Sequence, residues 1–269
     1  MARIKGNKMT GSIGNITHKD TKNGHVASEK ITVVRQSENT KNAGLLFGKA
    51  SGLAGYIRSN MEPILDGLND DGIHSRLVVE VYAILGRYYD EATLCYTFVK
   101  DSFRRLAGID FNILSPLKKS LWVFPEITIE ANSLVIHMPE FVNGKDLIFL
   151  SDTNLCLMQY QVSMYALASG YYHNVITFEV EIPVKQKVIA AQEWSFVVPN
   201  GCLAVVGFAL HFCRMIGNRI TMANSKTFSP GHLCGAFFIP GEFIPPPQES
   251  IHRAQLLWKT MRLNFPASI

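Results

Sequence analysis

The stretch "PNGCLAVVGFALHFCRMIGNRITMA", Pro199–Ala223, decides how this chain is read. Pro199-Asn200-Gly201 is a turn signal, an apolar run follows from Cys202 to Arg214, Gly217-Asn218 turns the chain again, and Arg219–Ala223 resumes a strand-forming texture. Gly and Asn reach the positive φ that tight turns demand, so the pattern is strand, turn, strand. Working outward, similar punctuation sets off strands at about Glu126–Glu130, Ser133–Met138, Asn154–Ala168, Asn174–Pro183, Ile189–Val198 and His232–Ile239, with Ala131-Asn132 and Gly170 among the turns. Regularly spaced short strands of this kind predict an antiparallel β-sandwich over 122–240.

Upstream the period changes. Leu46, Ala50, Leu53, Ile57, Met61 and Ile64 recur at three- and four-residue spacing, which predicts a helix from Asn42 to about Leu65. Gly44, Gly48 and Gly52 recur on it every fourth residue. Each glycine costs a helix interior about 1 kcal/mol relative to Ala, so this line predicts another backbone close by. Val78, Val81, Leu85, Tyr88, Ala92, Cys95, Val99, Ser102 and Leu106 keep the same spacing, and a second helix is expected over about Ser75–Leu106, capped by Gly108. Together they read as a helical hairpin within 42–121. Asp66–Ser75 lies between them. A calcium loop needs glycine at its sixth position, whereas frames opened at Asp66 or Asn69 place Asp71 or His74 there, so a solvated turn is expected. The fold class is therefore α+β.

The two chain ends differ from this body. Residues 1–14 look like a flexible lead, and Asn15–Arg35 has the signature of a β-ribbon turning at Asn23-Gly24, the step a type I′ turn requires. Ile16, Val26, Ile31 and Val33 give that ribbon only a thin apolar face, and a lone hairpin is marginal in water. The arm, 1–41, holds eight Lys/Arg against three acidic side chains, while the rest of the chain carries 18 basic and 19 acidic residues within a total net charge of +4. Lys19, Lys22, Lys30 and Arg35 are the candidate contacts for an acidic partner. At the other end, Pro245-Pro246-Pro247 sets off a tail, 241–269, in which Leu256, Leu257, Trp258 and Phe265 need a surface to dock on; helix and strand remain open for it.

Several function classes are disfavoured. Gly11-Ser12-Ile13-Gly14 lacks the buried strand before it and the helix after it that a phosphate cradle needs. The eight histidines are dispersed, with no HxxxH or HExxH pair, and no nucleophile elbow is present, so neither a cofactor, a metal nor an enzymatic reaction is expected. Glu179 and Glu181 alternate on one strand face and read as a solvated surface rather than an acid/base pair. Nucleic-acid binding is disfavoured because the basic arm has no aromatic residue for base stacking. The five cysteines, odd in number and each in an apolar segment, read as buried free thiols. Asn42–Ile57, the most apolar helical run, is too short to span a bilayer and contains Lys49. No apolar h-region follows the basic start, so a cytoplasmic location, or release by a signal-independent route, is expected.

"GSIGNITH" with "NTKNAGLLFGKASGLAGYI" resembles the N-terminal block of a family of uncharacterised proteins common in the Bacteroidota. "LAGIDFNILSPLKKSLW" and "ITIEANSLVIHMPEF" are similar to the block that joins their helices to a C-terminal sandwich, and "HLCGAFFIPG" to their closing strand. The resemblance runs in patches over about 10–240 and leaves out the tail. It implies an architecture and no reaction. The leading expectation is a non-enzymatic structural protein that assembles with itself, as filament or ring, through exchanged N- and C-terminal segments and the glycine-lined helix face. The alternative is a monomeric sandwich that binds glycan or protein through aromatics such as Tyr171, Tyr172 and Trp194, and a second alternative is nucleic-acid binding through the basic N-terminal arm.

Overall fold

The computed structural model describes residues 3–6, 8–30, 36–173, 176–245 and 258–267. The chain divides into two units, 1–44 and 45–269.

In the first unit four strands form an antiparallel meander: β1 (Arg3–Lys5), β2 (Lys8–Ile13), β3 (Ile16–Thr21) and β4 (Gly24–Glu29), in that order. Glycines at positive φ, Gly6 (63°), Gly14 (54°) and Gly24 (121°), make the three reversals, which L side chains resist there. The hairpin at Asn23-Gly24 is as read from the sequence, but the flexible lead is corrected: residues 3–5 and 8–13 are strands. Their polar composition leaves no apolar alternation from which to read them. Ile31, Val33 and Arg35 lie outside the described residues.

The second unit stacks helices and two sheets. Helix α1 (Glu38–Leu65) opens with Ser37, whose hydroxyl accepts the Thr40 N–H at 3.2 Å, and it ends where Asp66 and Gly67 take positive φ. Its buried side is the expected stripe, Ala50, Leu53, Ile57, Met61 and Ile64, widened by Ala54 and Leu65. Helix α2 covers Ile73–Tyr88 only. The expected continuation to Leu106 is overturned: Tyr89-Asp90 (β5) pairs with Cys95-Tyr96 (β6) instead. The Asp90 carboxylate accepts from the Ala92 N–H and the Thr93 hydroxyl, both at 2.9 Å, while Leu94 adopts φ 57°. Local side-chain bonding of this kind competes with a helix and wins. Beyond Tyr88 the repeat breaks up, with Ala92 and Val99 exposed and Leu106 buried, while the interleaved Tyr96, Phe98 and Phe103 form an aromatic cluster with Phe238, centroids 5.0–6.5 Å apart.

The strands follow: β7 (Glu126–Glu130), β8 (Ser133–Met138), β9 (Phe141–Val142), β10 (Leu155–Ala166), β11 (Tyr171–His173), β12 (Ile176–Pro183), β13 (Val188–Ile189), β14 (Gln192–Val197), β15 (Cys202–Ile216), β16 (Arg219–Met222), β17 (Gly231–Phe238) and β18 (Trp258–Thr260). β10 and β15 pair antiparallel along their length and form the spine of a seven-stranded sheet. β12 and β11 continue it beyond β10, β17 and β16 beyond β15, and β18 beyond β11. A second sheet has the order β14-β8-β7.

Side chains alternate across the spine with period two. Met158, Tyr160, Val162, Val206, Phe208 and Leu210 enter a core shared with Leu134, Ile136 and Met138 of β8. Tyr165, Leu203, Val205 and Ala209 enter the core shared with α1 and α2. The spine is thus buried on both faces, which explains why Cys202–Cys213 reads as one apolar run. At Gly207 a Cβ would collide with Met61 Sδ and lie 3.0 Å from Ile64 Cδ1, so the missing side chain is what lets α1 lie this close to the sheet.

The tail corrects a central expectation. Its described part, 258–267, is seated on its own chain: β18 pairs with β11, the Met261 N–H donates to Gly170 O at 2.7 Å, and the Phe265 N–H to Leu167 O at 2.9 Å. Phe265 is 1% exposed, and Trp258 lies 4.6 Å from the Phe243 ring centroid. These two residues therefore have their cover within one copy; Leu256 and Leu257 lie outside the described residues. Gly52 has the close approach the sequence predicted, though from a side chain of this tail: a Cβ there would meet Leu263 Cδ1 at 2.6 Å. At Gly44 and Gly48 a Cβ would meet nothing within 4 Å, so the glycine line is not a continuous packing groove.

Candidate functional site

The arm is the first surface without cover. No described residue of 3–30 is buried, and Ile4, Ile13, Ile16 and Val26 are 71%, 51%, 47% and 49% exposed. Lys19, Lys22 and Lys30 lie exposed on the same sheet or at its turns. Beside the backbone ladder, polar cross-strand contacts knit it: Asn15 Nδ2 donates to Glu29 Oε1 at 2.9 Å, the Ser12 and Thr17 hydroxyls meet at 3.0 Å, and the His18 and His25 rings stack at 5.3 Å.

The second surface is a pair of strand edges. β12 bonds to β10 alone and β14 to β8 alone among the described strands, so each leaves one backbone edge unpaired. An open groove between them is lined by Glu179, Val180, Glu181, Gln192, Glu193 and Trp194. Beneath it Tyr160, Phe178 and Trp194 stack with centroids 4.7–5.2 Å apart and bridge the two sheets. Three of the exposed outward residues are acidic, Glu179 and Glu181 on β12 and Glu193 on β14, beside Thr177, Ser195 and Val197. The Glu179 carboxylate accepts from Gln159 Nε2 at 2.6 Å, and Glu193 faces His137 at 3.8 Å. The sequence shows these acids; it cannot show that their strands are edges, because pairing partners are set by topology.

Other chemical groups are absorbed by the fold. Asp70 is no calcium ligand and its loop no loose turn: Arg76 donates to both its oxygens at 2.9 Å, and the backbone N–H groups of Gly72 and Ile113 add bonds at 2.7 and 2.8 Å. Partial burial alone would raise the Asp70 pKa; the Arg76 and backbone hydrogen bonds outweigh it and hold the carboxyl below its usual range. His211 is buried in mid-strand with Nε2 3.0 Å from the Ile64 carbonyl oxygen, and burial lowers its pKa despite that bond. Nothing in the sequence pattern distinguished His211 from its apolar neighbours. The five cysteines are free thiols, three buried and two half-buried, and burial pushes Cys202 up to about 12. Gly11-Ser12-Ile13-Gly14 runs out of β2 into a hairpin turn, without a helix to complete a phosphate cradle. Among the described residues no group of His, Cys, Asp or Glu could hold a metal ion, and no helix is long and apolar enough to cross a membrane. The aromatics that suggested glycan binding are packed: Tyr171 on Phe243, Tyr172 on Tyr56, and Trp194 in the inter-sheet stack.

No protein-family model, no curated protein and no solved structure matches the chain.

Proposed function

We propose that this chain is a non-enzymatic structural protein whose copies associate through the N-terminal arm. One observation carries the reading: four strands form a sheet in which no described residue is buried. A sheet gains its stability by burying one face, and one that buries neither lacks the term that offsets its ordering entropy. A neighbouring copy supplies that cover at no cost in new sequence. Passed head to tail, the arm gives a ring where the rotation closes and a filament where it does not. The described part of the tail, 258–267, seated on its own chain, drops out of the exchange. The test is light scattering after size exclusion, with negative-stain imaging, on the full chain and on a chain lacking residues 1–36. Large species that vanish with the arm support the reading. A full-length protein that stays monomeric at high concentration refutes it.

A further inference from the structure

We infer that the receiving surface is the acidic groove between β12 and β14 of a second copy, entered by the β1 edge of the arm; this rests on the assembly reading above. Open strand edges are normally guarded by bulges, by lysines or by brevity. β12 has none of these guards over Ile176–Ile182, proline entering only at its last residue, Pro183, and its pairing with β10 is regular from Ile176 to Pro183. What it has instead is acid at alternate positions. Glu179 and Glu181 repel the same edge of another copy, so β12 does not zip to β12, yet they attract a basic strand.

β1 meets that description. It bonds to β2 on one side only, and it reads Arg3-Ile4-Lys5, with two basic residues as far apart as the two glutamates. With period two, one face of the added strand then carries opposite charges across the pair, and the other carries Ile4 toward Val180 and Trp194. Ile4 is among the most exposed apolar side chains of the protein. The aromatic stack below fixes the groove floor, so the receiving edge is ordered before the strand arrives. Gln192 Oε1, a buried acceptor with no partner within the described chain, lies in the same groove and offers a further bond to an incoming N–H. The arm would thereby extend the seven-stranded sheet of its neighbour at the β12 edge.

The experiment uses the full chain and sedimentation velocity at low salt. Glu179→Lys with Glu181→Lys should weaken association on the order of tenfold or more, and so should Arg3→Glu with Lys5→Glu. Mixing the two variants should restore it, because the reversed arm then meets the reversed groove. A photo-crosslinking residue at position 4 of the otherwise unmodified chain reports the contact without touching the groove, and its adduct should map to β12 or β14 of another copy. Adducts elsewhere, or unchanged association of the Glu179/Glu181 variant while deletion of 1–36 abolishes it, overturn the groove and leave arm-driven assembly standing. A full-length protein that never associates overturns both.

Discussion

Phe265→Ala is the most direct test of how the body is closed. The ring is 1% exposed, sits edge-on to Tyr96 at 5.5 Å, and has the Lys49 ammonium 5.7 Å from its centroid. On either side the backbone is tied down, by Phe265 N–H to Leu167 O at 2.9 Å and by Tyr96 N–H to Pro266 O at 2.7 Å, so the site has little freedom to collapse around a lost ring. Truncating a fully buried Phe to Ala costs about 3–5 kcal/mol, within which the aromatic pair accounts for roughly 0.5–1.5. Against a total stability on the order of 5–15 kcal/mol this is a large fraction, and at about 2–4 °C per kcal/mol it lowers the midpoint of thermal unfolding by about 6–20 °C. Unfolding by heat and by urea, followed by circular dichroism, measures it, with exposed Asn264→Ala as the control expected within about 0.5 kcal/mol. A loss under about 1 kcal/mol refutes the seating of the tail. In a chain lacking residues 1–36, where the arm cannot join copies, a midpoint that rises over a hundredfold increase in protein concentration refutes its seating in the same copy.

Two further predictions probe the interior. Gly52→Ala sets a gain in helix propensity of about 1 kcal/mol against a Cβ placed 2.6 Å from Leu263 Cδ1, so it should destabilise the parent chain but stabilise one already carrying Leu263→Ala; equal effects in both backgrounds, seen in urea titrations, would dismiss the contact. His211 and His232 are both held below the usual histidine pKa by burial, so below about pH 6.5 the unfolded chain binds protons that the folded chain does not, and stability falls as pH drops through that range, by up to about 1.4 kcal/mol per pH unit for each ring. Urea midpoints from pH 7.5 to 5.5 measure this; His211→Gln should flatten the profile, and an unchanged slope would remove His211 from the account.

What could be read beforehand follows the physics of each element. β7 and β8 run over the residues the sequence indicated, because the turn between them is written locally: Ala131 and Asn132 separate two apolar alternations, and Ala131 takes φ 51°. β15 was legible for the same reason, with Gly201 and Gly217 at positive φ on either side of it. The stripe of α1 was legible because one face of it is buried almost without interruption. The end of α2 was not, because the 3-4 spacing runs on through residues such as Ala92 and Val99 that the fold leaves exposed on a hairpin and loop, and the bonds of Asp90 decided for the hairpin. The tail was not, because its seat is assembled from Tyr96, Leu167 and Gly170, which no local pattern connects. The candidate site was half legible. The basic arm shows in the sequence, whereas the groove exists only once β12 and β14 are known to be edges.

The seating of residues 258–267 also sets a timetable for biosynthesis. Ile64 meets His211 across 147 positions, and Tyr56 meets Arg262 across 206. At roughly 5–20 residues per second, the translating ribosome leaves α1 waiting on the order of ten seconds or longer for the last of its native neighbours. The interior is therefore closed late, and a nascent chain halted before Trp258 leaves the Gly52 face and the Phe265 side of Tyr96 open to chaperones and proteases.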